Sequence, residues 1–392
     1  MSNRIGEDRA ADVLVVGGGV IGLSVAWRAA GAGLRVTLVD PAPGSGASRV
    51  AAGMLAPATE AVYNEEALLR LNLASAARYP AFVAELREAS ALDPAHLETG
   101  TLLAAVDGDD LVAAGVLHAF QTRLGLGVER LSAREVRRAE PLLSPGIRGG
   151  LLVRGDHQVD PRRLVAALIA ACRAGGVVFV PAGVHAVARQ GDRSVGVVLD
   201  DGTQLAAGTT VLAAGAHTGR LEGLPPGVGD CLRPVKGQLL RLQVPPRMRP
   251  LLRRNVRGLV RGRSLYLVPR ADGELVVGAT VEEQGFDTTV TAGAVYELLR
   301  DAQELVPAIG ELTLGEVCAG LRPGTPDNCP LLGPAHLTNL VLATGHYRNG
   351  ILLAPVTADA ILAVLRTGEL PEIARRFAVD RFGGDRALDR AG

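Results

Sequence analysis

The 392-residue chain is short of several things, and each shortage closes off a class of function. Lys236 is its only lysine, and 41 basic residues are balanced by 41 acidic ones, so no net field draws it to nucleic acid or to an anionic membrane. Four cysteines (Cys172, Cys231, Cys318 and Cys329) lie far apart without a C-x-x-C pair, which argues against a disulfide framework or a zinc site and fits a reducing cytoplasm. Apolar runs such as 164–172 are flanked by arginine and fall far short of the ~20 residues that span a bilayer. The first ten residues are polar and charged, so neither export nor membrane insertion is expected. No repeat and no low-complexity linker interrupts the chain. With 48% apolar residues it can bury a sizeable core, which rules out disorder, and its length suits two domains better than one.

Residues 12–16 (DVLVV) read as a buried parallel strand that runs straight into Gly17, Gly18 and Gly19. Small and apolar residues continue from 20 to 30 until Gly31 and Gly33, the pattern of a helix with a glycine stop. Residues 35–40 (RVTLVD) form a second strand. Helical periodicity covers 65–89, after which a short strand (101–106) and a charged helix (132–139) mark a mixed segment. Asp160 before Pro161 signals a helix start, and Gly175-Gly176 its end. Strands follow at 177–180, 195–199 and 211–214, with a hairpin signal at Asp201-Gly202, and then at 239–242, 265–268 and 275–277 in an antiparallel pattern. The chain closes on a strand at 340–343, a turn at 345–350 and a helix over 351–365 that Pro355 is expected to break.

Gly17-Gly18-Gly19-Val20-Ile21-Gly22 satisfies G-x-G-x-x-G with strand and helix in register. Gly17 permits the tight turn, Gly19 lets the backbone approach a pyrophosphate, and Gly22 allows close helix–strand packing. The helix N-terminus, opening at Val20 and Ile21, faces the phosphates with free N–H groups. Asp40 ends the second strand, where a carboxylate accepts hydrogen bonds from ribose hydroxyls. This fingerprint serves NAD and FAD alike. Residues 44–57 (GSGASRVAAGMLAP), which include Ser48, Ala51, Ala52, Gly53 and Met54, are either a small-residue loop that lies flat against a ring system or an undistinguished loop. Ala214 and Gly215 close a strand where a cofactor passes or where the strand end simply packs, and Val184 lies in a segment whose backbone suits an adenine edge. At 345–352 (GHYRNGIL), a helix starting at Gly350 aims its dipole into the turn, as the N1–C2 side of a reduced flavin needs and a nicotinamide does not; the alternative is an anion-binding or structural turn.

Arg322, among the glycines and prolines of GLRPGTP, is held stiffly enough to grip a carboxylate bidentately, or is one more surface arginine in an arginine-rich chain. Tyr266, in an apolar strand, is a core tyrosine or a pocket hydroxyl. Seven arginines from Arg247 to Arg263, with no acid among them, read as solvated surface or a subunit interface ahead of nucleic acid, because aromatic residues for base stacking are missing there. His217 and His346 are candidate acid–base groups or satisfied structural histidines. The order of elements implies an α/β fold in which a Rossmann-type dinucleotide-binding domain (11–90, 150–230 and 315–380), a Rossmann-type FAD-binding domain if the 345–352 turn holds a flavin, is interleaved with an α+β substrate domain built on an antiparallel sheet (91–149 and 231–314), followed by a tail at 381–392.

These residues resemble the glycine oxidases of thiamine biosynthesis, within the D-amino-acid oxidase and sarcosine oxidase group of flavoproteins. The likeness runs through residues 17–22 with Asp40, AAGML at 51–55, PVKGQ at 234–238, Tyr266 with LVPR at 267–270, VVGAT at 276–280, 320–326 and 345–355. It implies noncovalent FAD, carboxylate binding by Tyr266 and Arg322, and a substrate amine held near the main-chain carbonyl of Arg348. Ala51, Ala52, Gly53 and Met54 would lie against the flavin, with Gly345, His346, Arg348, Asn349, Gly350, Ile351 and Leu352 around its pyrimidine side. Related sarcosine oxidases attach flavin to a cysteine near the place of Arg322, where this chain has none, Cys318 being close. Val281 and Ser264 stand where Met and His are expected, Asn328 replaces a turn glycine and His217 a tryptophan; the first two are expected to border the substrate and to open the pocket to small D-amino acids.

The reaction implied is oxidative deamination of glycine, then of sarcosine or small D-amino acids, to the imine or glyoxylate, ammonia and hydrogen peroxide. Molecular oxygen is the expected acceptor, the chain is expected to form a homo-oligomer, and a thiazole-synthesis partner would consume the imine. A D-amino-acid dehydrogenase feeding a quinone would want an apolar membrane-facing patch, and a flavin-dependent tRNA-modifying protein would want basic surface around its site. A noncatalytic nucleotide-binding module would have no need of Arg322 and Tyr266.

Overall fold

The strand Ala11–Val16 lies parallel between Val36–Val39 and Gln204–Leu212, with Val16 opposite Val39 on one side and Leu212 on the other. Its side chains alternate as a buried strand requires: Val13 and Val15 join the core beneath the helices, Leu14 and Val16 the core on the opposite face. In the computed structural model, which describes residues 11–382, the parallel order is Val178–Val180, Val36–Val39, Ala11–Val16, Gln204–Leu212 and Leu340–Thr344. Leu331–Pro334 closes one edge antiparallel, and the hairpin Val184–Gln190 with Arg193–Leu199 hangs from Gln204–Leu212. The helices Val20–Gly31, Glu66–Ser90, Pro161–Ala174 and Gly350–Thr367 share one core, with Leu23, Trp27, Tyr79, Leu168 and Ile361 inside it.

A second, eight-stranded sheet runs Thr313–Gly324, Arg233–Gln243, Glu274–Gly278, Arg263–Pro269, Asn255–Val260, Thr101–Ala105, Gly149–Val153 and Val128–Ser132. It is antiparallel except where Asn255–Val260 meets Thr101–Ala105. Helix Ala292–Leu305 packs on it through Leu298, Ala302 and Leu305. Two expected boundaries are corrected here. Residues 150–153 and 315–324, placed by sequence in the dinucleotide-binding domain, belong to this sheet, because Gly149–Val153 lies between two of its strands and Thr313–Gly324 pairs along Arg233–Gln243 from Gly324 to Thr313. Of the expected tail, residues 383–392 lie outside the described residues.

Pro355 does not break the last helix, which runs unbroken over Gly350–Thr367. Proline at that position removes the donor for the carbonyl of Ile351. The hydroxyl of Tyr79 supplies one instead at 2.8 Å, and Ser75 Oγ donates to the next carbonyl, Leu352, at 2.6 Å. By length and composition this is the one described helix able to cross a membrane, but most of it is buried in the protein core. In the arginine run, Arg247, Arg249, Arg253, Arg261 and Arg263 are exposed, as a solvated surface requires, while Arg254, Arg257, Arg261 and Arg263 pair with Glu140, Glu60, Glu304 and Asp301, acids supplied by other elements.

Candidate active site

A cavity of about 870 Å³ opens at the C-terminal ends of the first sheet's parallel strands and reaches the second sheet at Leu239, Tyr266, Ala279 and Arg322. This is where open α/β sheets hold their ligands. At the glycine turn, Gly17 has φ +106°, and a Cβ on it would sit 2.5 Å from the carbonyl oxygen of Ala213. On Gly22 a Cβ would fall 1.9 Å from the oxygen of Gly17, so Gly22 serves helix–strand packing and does not line the cavity. Gly19 caps the first helix without a side chain of its own, and the N–H of Val20, expected to be free, is already taken by Ser48. Asp40 braces this turn: Oδ2 accepts from Gly18 N at 2.6 Å and Oδ1 from Ala42 N at 2.7 Å, while the residue still lines the cavity. Ser48 reaches in from the 44–57 loop, and its Oγ accepts from Val20 N at 3.0 Å. A dinucleotide fits this cradle, whose lining at Gly17 and Gly19 is bare backbone.

Ala51, Ala52, Gly53 and Met54 line the same cavity, as do Val184, Ala214 and Gly215. Gly53 adopts φ +76° with Val159 so close that a Cβ would lie 2.1 Å from its carbonyl oxygen. The buried guanidinium of Arg270 holds the carbonyl of Ala52 from behind. At the C-terminal turn, His346, Arg348, Gly350 and Ile351 line the cavity, whereas Asn349 and Leu352 are buried behind it. His346 Nε2 is 2.9 Å from Thr357 Oγ1, and burial pushes its pKa down to about 3, so it is a neutral structural ring and not a general base. Tyr347 N donates to Pro323 O at 2.9 Å, which ties this turn to the segment bearing Arg322.

Tyr266 and Arg322 meet the cavity from the second sheet. Burial raises the Tyr266 phenol above its ordinary range, partly countered by Arg322, so the hydroxyl remains a donor at neutral pH. Arg322 Nη1 donates to the carbonyls of Thr280 (3.1 Å) and Lys236 (3.3 Å), and no carboxylate among the described residues pairs with it. A guanidinium presented to a cavity with only neutral acceptors is a ready site for a carboxylate. Two glycines that the sequence reading passed over seat these side chains: a Cβ on Gly278 would lie 2.4 Å from the Tyr266 hydroxyl, and one on Gly237 2.3 Å from Arg322 Nη1. Glu60, also passed over, lines the cavity too.

Val281 is a correction. It is 61% exposed and, like Ser264, is not among the cavity-lining residues. Beyond Glu274–Gly278 the chain turns Thr280 inward, with its carbonyl on Arg322 and its Oγ1 accepting from Gln238 N, which leaves Val281 facing out. His217 lines the cavity with its ring 5.1 Å from that of Phe286. None of the four cysteines lines it.

A Rossmann crossover and a guanidinium with no carboxylate partner meet in one cavity, the arrangement of a dinucleotide-binding protein. The chain belongs to the FAD dependent oxidoreductase family, whose profile matches residues 12–363, and FAD is its cofactor. It is 36% identical over 380 residues to the glycine oxidase of Geobacillus kaustophilus, covering 95% of this chain and 97% of that one. The crystal structure of glycine oxidase from Geobacillus kaustophilus superposes with a TM-score of 0.86 at 33% identity, over 95% of this chain and 99% of that chain. The bifunctional protein ThiO/ThiG of Synechocystis sp. is 35% identical over 95% of this chain, which spans about half (54%) of that relative's length. The hydrogen cyanide synthase subunit HcnC of Pseudomonas aeruginosa is 32% identical, over 96% of this chain and 97% of the relative.

Proposed function

We propose that this chain oxidises glycine, and secondarily sarcosine or small D-amino acids, to the imine with reduction of molecular oxygen to hydrogen peroxide. The observation that carries the reading is Arg322, a guanidinium without a carboxylate partner, beside the half-buried Tyr266 in the cavity that carries the dinucleotide cradle. Arg322 binds the substrate carboxylate, Tyr266 donates a hydrogen bond to it, and the main-chain carbonyl of Arg348 accepts from the amine. Bound FAD supplies a two-electron acceptor for the α-hydrogen. The protein's own contribution is orientation: the carboxylate is clamped, the amine is neutral, and no side chain has to act as a strong base. The depressed, partnered His346 agrees with this.

FAD contacts are assigned to Gly17, Gly19, Val20, Ile21, Asp40 and Ser48 at the pyrophosphate and ribose, Val184, Ala214 and Gly215 at the adenine side, and 51–54 with the 346–352 turn at the ring. Attachment is noncovalent, so acid precipitation should leave the yellow colour in solution. The ThiO/ThiG relatives support delivery of the imine to thiazole synthesis; on this reading the chain works in the cytoplasm as a homo-oligomer. Air-saturated protein given glycine should form peroxide, glyoxylate and ammonia in equal amounts. Cyanide release would place it with the HcnC relatives, and turnover only with a quinone would make it a dehydrogenase.

A further inference from the structure

Three carboxylates line the cavity: Asp40 and Asp200 belong to the first sheet and its hairpin, and Glu60 alone lies at the Tyr266 end. Glu60 Oε1 accepts from Arg257 Nη1 at 2.7 Å, with both side chains mostly buried, and Arg257 sits directly opposite Tyr266 in the strand register. The acid is held in place by its neighbours' backbone. Asp156 accepts from Ala58 N (3.1 Å) and Thr59 N (2.7 Å), Gln121 Nε2 donates to Ala58 O (2.8 Å), and Glu60 N donates to Ala56 O (3.1 Å). Arg257, the counter-ion, is not among the lining residues, so a molecule in the cavity meets the carboxylate and not the guanidinium.

We infer that Glu60 is a charge filter: with Arg322 to take the substrate carboxylate and Glu60 facing the same Tyr266 end of the cavity, the site accepts monocarboxylate amino acids and rejects those with a second anionic group. The inference rests on the oxidase reading for its substrate class. Like charges held close in a partly buried site repel without the screening that water gives them, whereas a neutral amide of the same shape meets no such penalty.

D-Aspartate and D-asparagine differ in charge and hardly in size, so the ratio of their kcat/KM values isolates this effect from pocket volume. Glu60→Gln should raise that ratio in favour of D-aspartate by about tenfold, and Arg257→Gln, which leaves Glu60 uncompensated, should lower it. The opposite sign covers a Glu60 variant that fails to fold. Non-reacting ligands give a separate reading: malonate should tighten relative to acetate in Glu60→Gln, followed by perturbation of the flavin absorbance. Unchanged ratios in both variants, with malonate and acetate also unmoved, would overturn the inference. A wild type that oxidises no amino acid yet shows the malonate shift in Glu60→Gln would defeat the oxidase reading and leave the filter standing.

Discussion

The guanidinium of Arg322 lies flat on the backbone of Gly237, so close that a Cβ there would sit 2.5 Å from Cζ. The two are diagonal neighbours on paired strands, Gly237 opposite Gly320 and Arg322 opposite Val235, so the strand register itself delivers the guanidinium to the cavity. Gly237→Ala must push it off this seat. The KM for glycine should rise by about tenfold or more, the size of one lost hydrogen bond to a charged group, while FAD affinity holds. Steady-state kinetics beside FAD titration would show it, and equal loss of both would mean that the glycine serves general folding.

Tyr79→Phe removes the donor to Ile351 O, an acceptor that Pro355 leaves buried and without a helical partner. An unsatisfied buried carbonyl costs about 1–3 kcal/mol, which urea unfolding should register. Because that helix begins at the cavity, FAD affinity should fall as well.

His346 makes stability depend on pH. Its folded pKa, about 3, is below the unfolded value near 6.5, so between these limits the unfolded chain binds the extra proton and stability falls as pH falls. From pH 7 to 5 the loss from this ring is about 2 kcal/mol. Asp156, raised by burial to about 6, acts in the opposite sense between about 4 and 6. The difference between wild type and His346→Gln removes that common term, and the variant should lose less stability over this range.

Val281→Met should leave the preference between glycine and D-alanine unmoved, since the side chain faces solvent. A several-fold swing toward glycine in kcat/KM would show that Val281 reaches the substrate after all.

What was legible in the sequence was local. The strand, the glycine turn and the helix to Gly31 are each decided by residues a few positions apart, and they fall within a residue or two of expectation. The 51–54 loop and the 345–352 turn were also flagged by composition and converge on one cavity. Long-range partners were not legible. Pro355 keeps its helix because Ser75 and Tyr79 reach it from a segment some 270 residues earlier in the chain. Gly237 and Gly278 matter only through strand register, and Glu60 only because Asp156 and Arg257 hold it at the cavity. Val281 was misplaced for the same reason: which face a residue takes just past a strand end depends on Gln238 and Arg322, not on its neighbours in sequence.

The central claim is that Arg322 presents a small amino acid's carboxylate to an enzyme-bound FAD, and anaerobic titration with glycine tests it without any assumption about the electron acceptor. The wild type should lose its flavin absorbance on adding glycine. Arg322→Ala should retain FAD but need about 10² more glycine for the same bleaching rate, with Arg322→Lys in between because it keeps the charge and loses the fork. A wild type left yellow by glycine, sarcosine and D-alanine, or an alanine variant that bleaches like the wild type, would contradict the account.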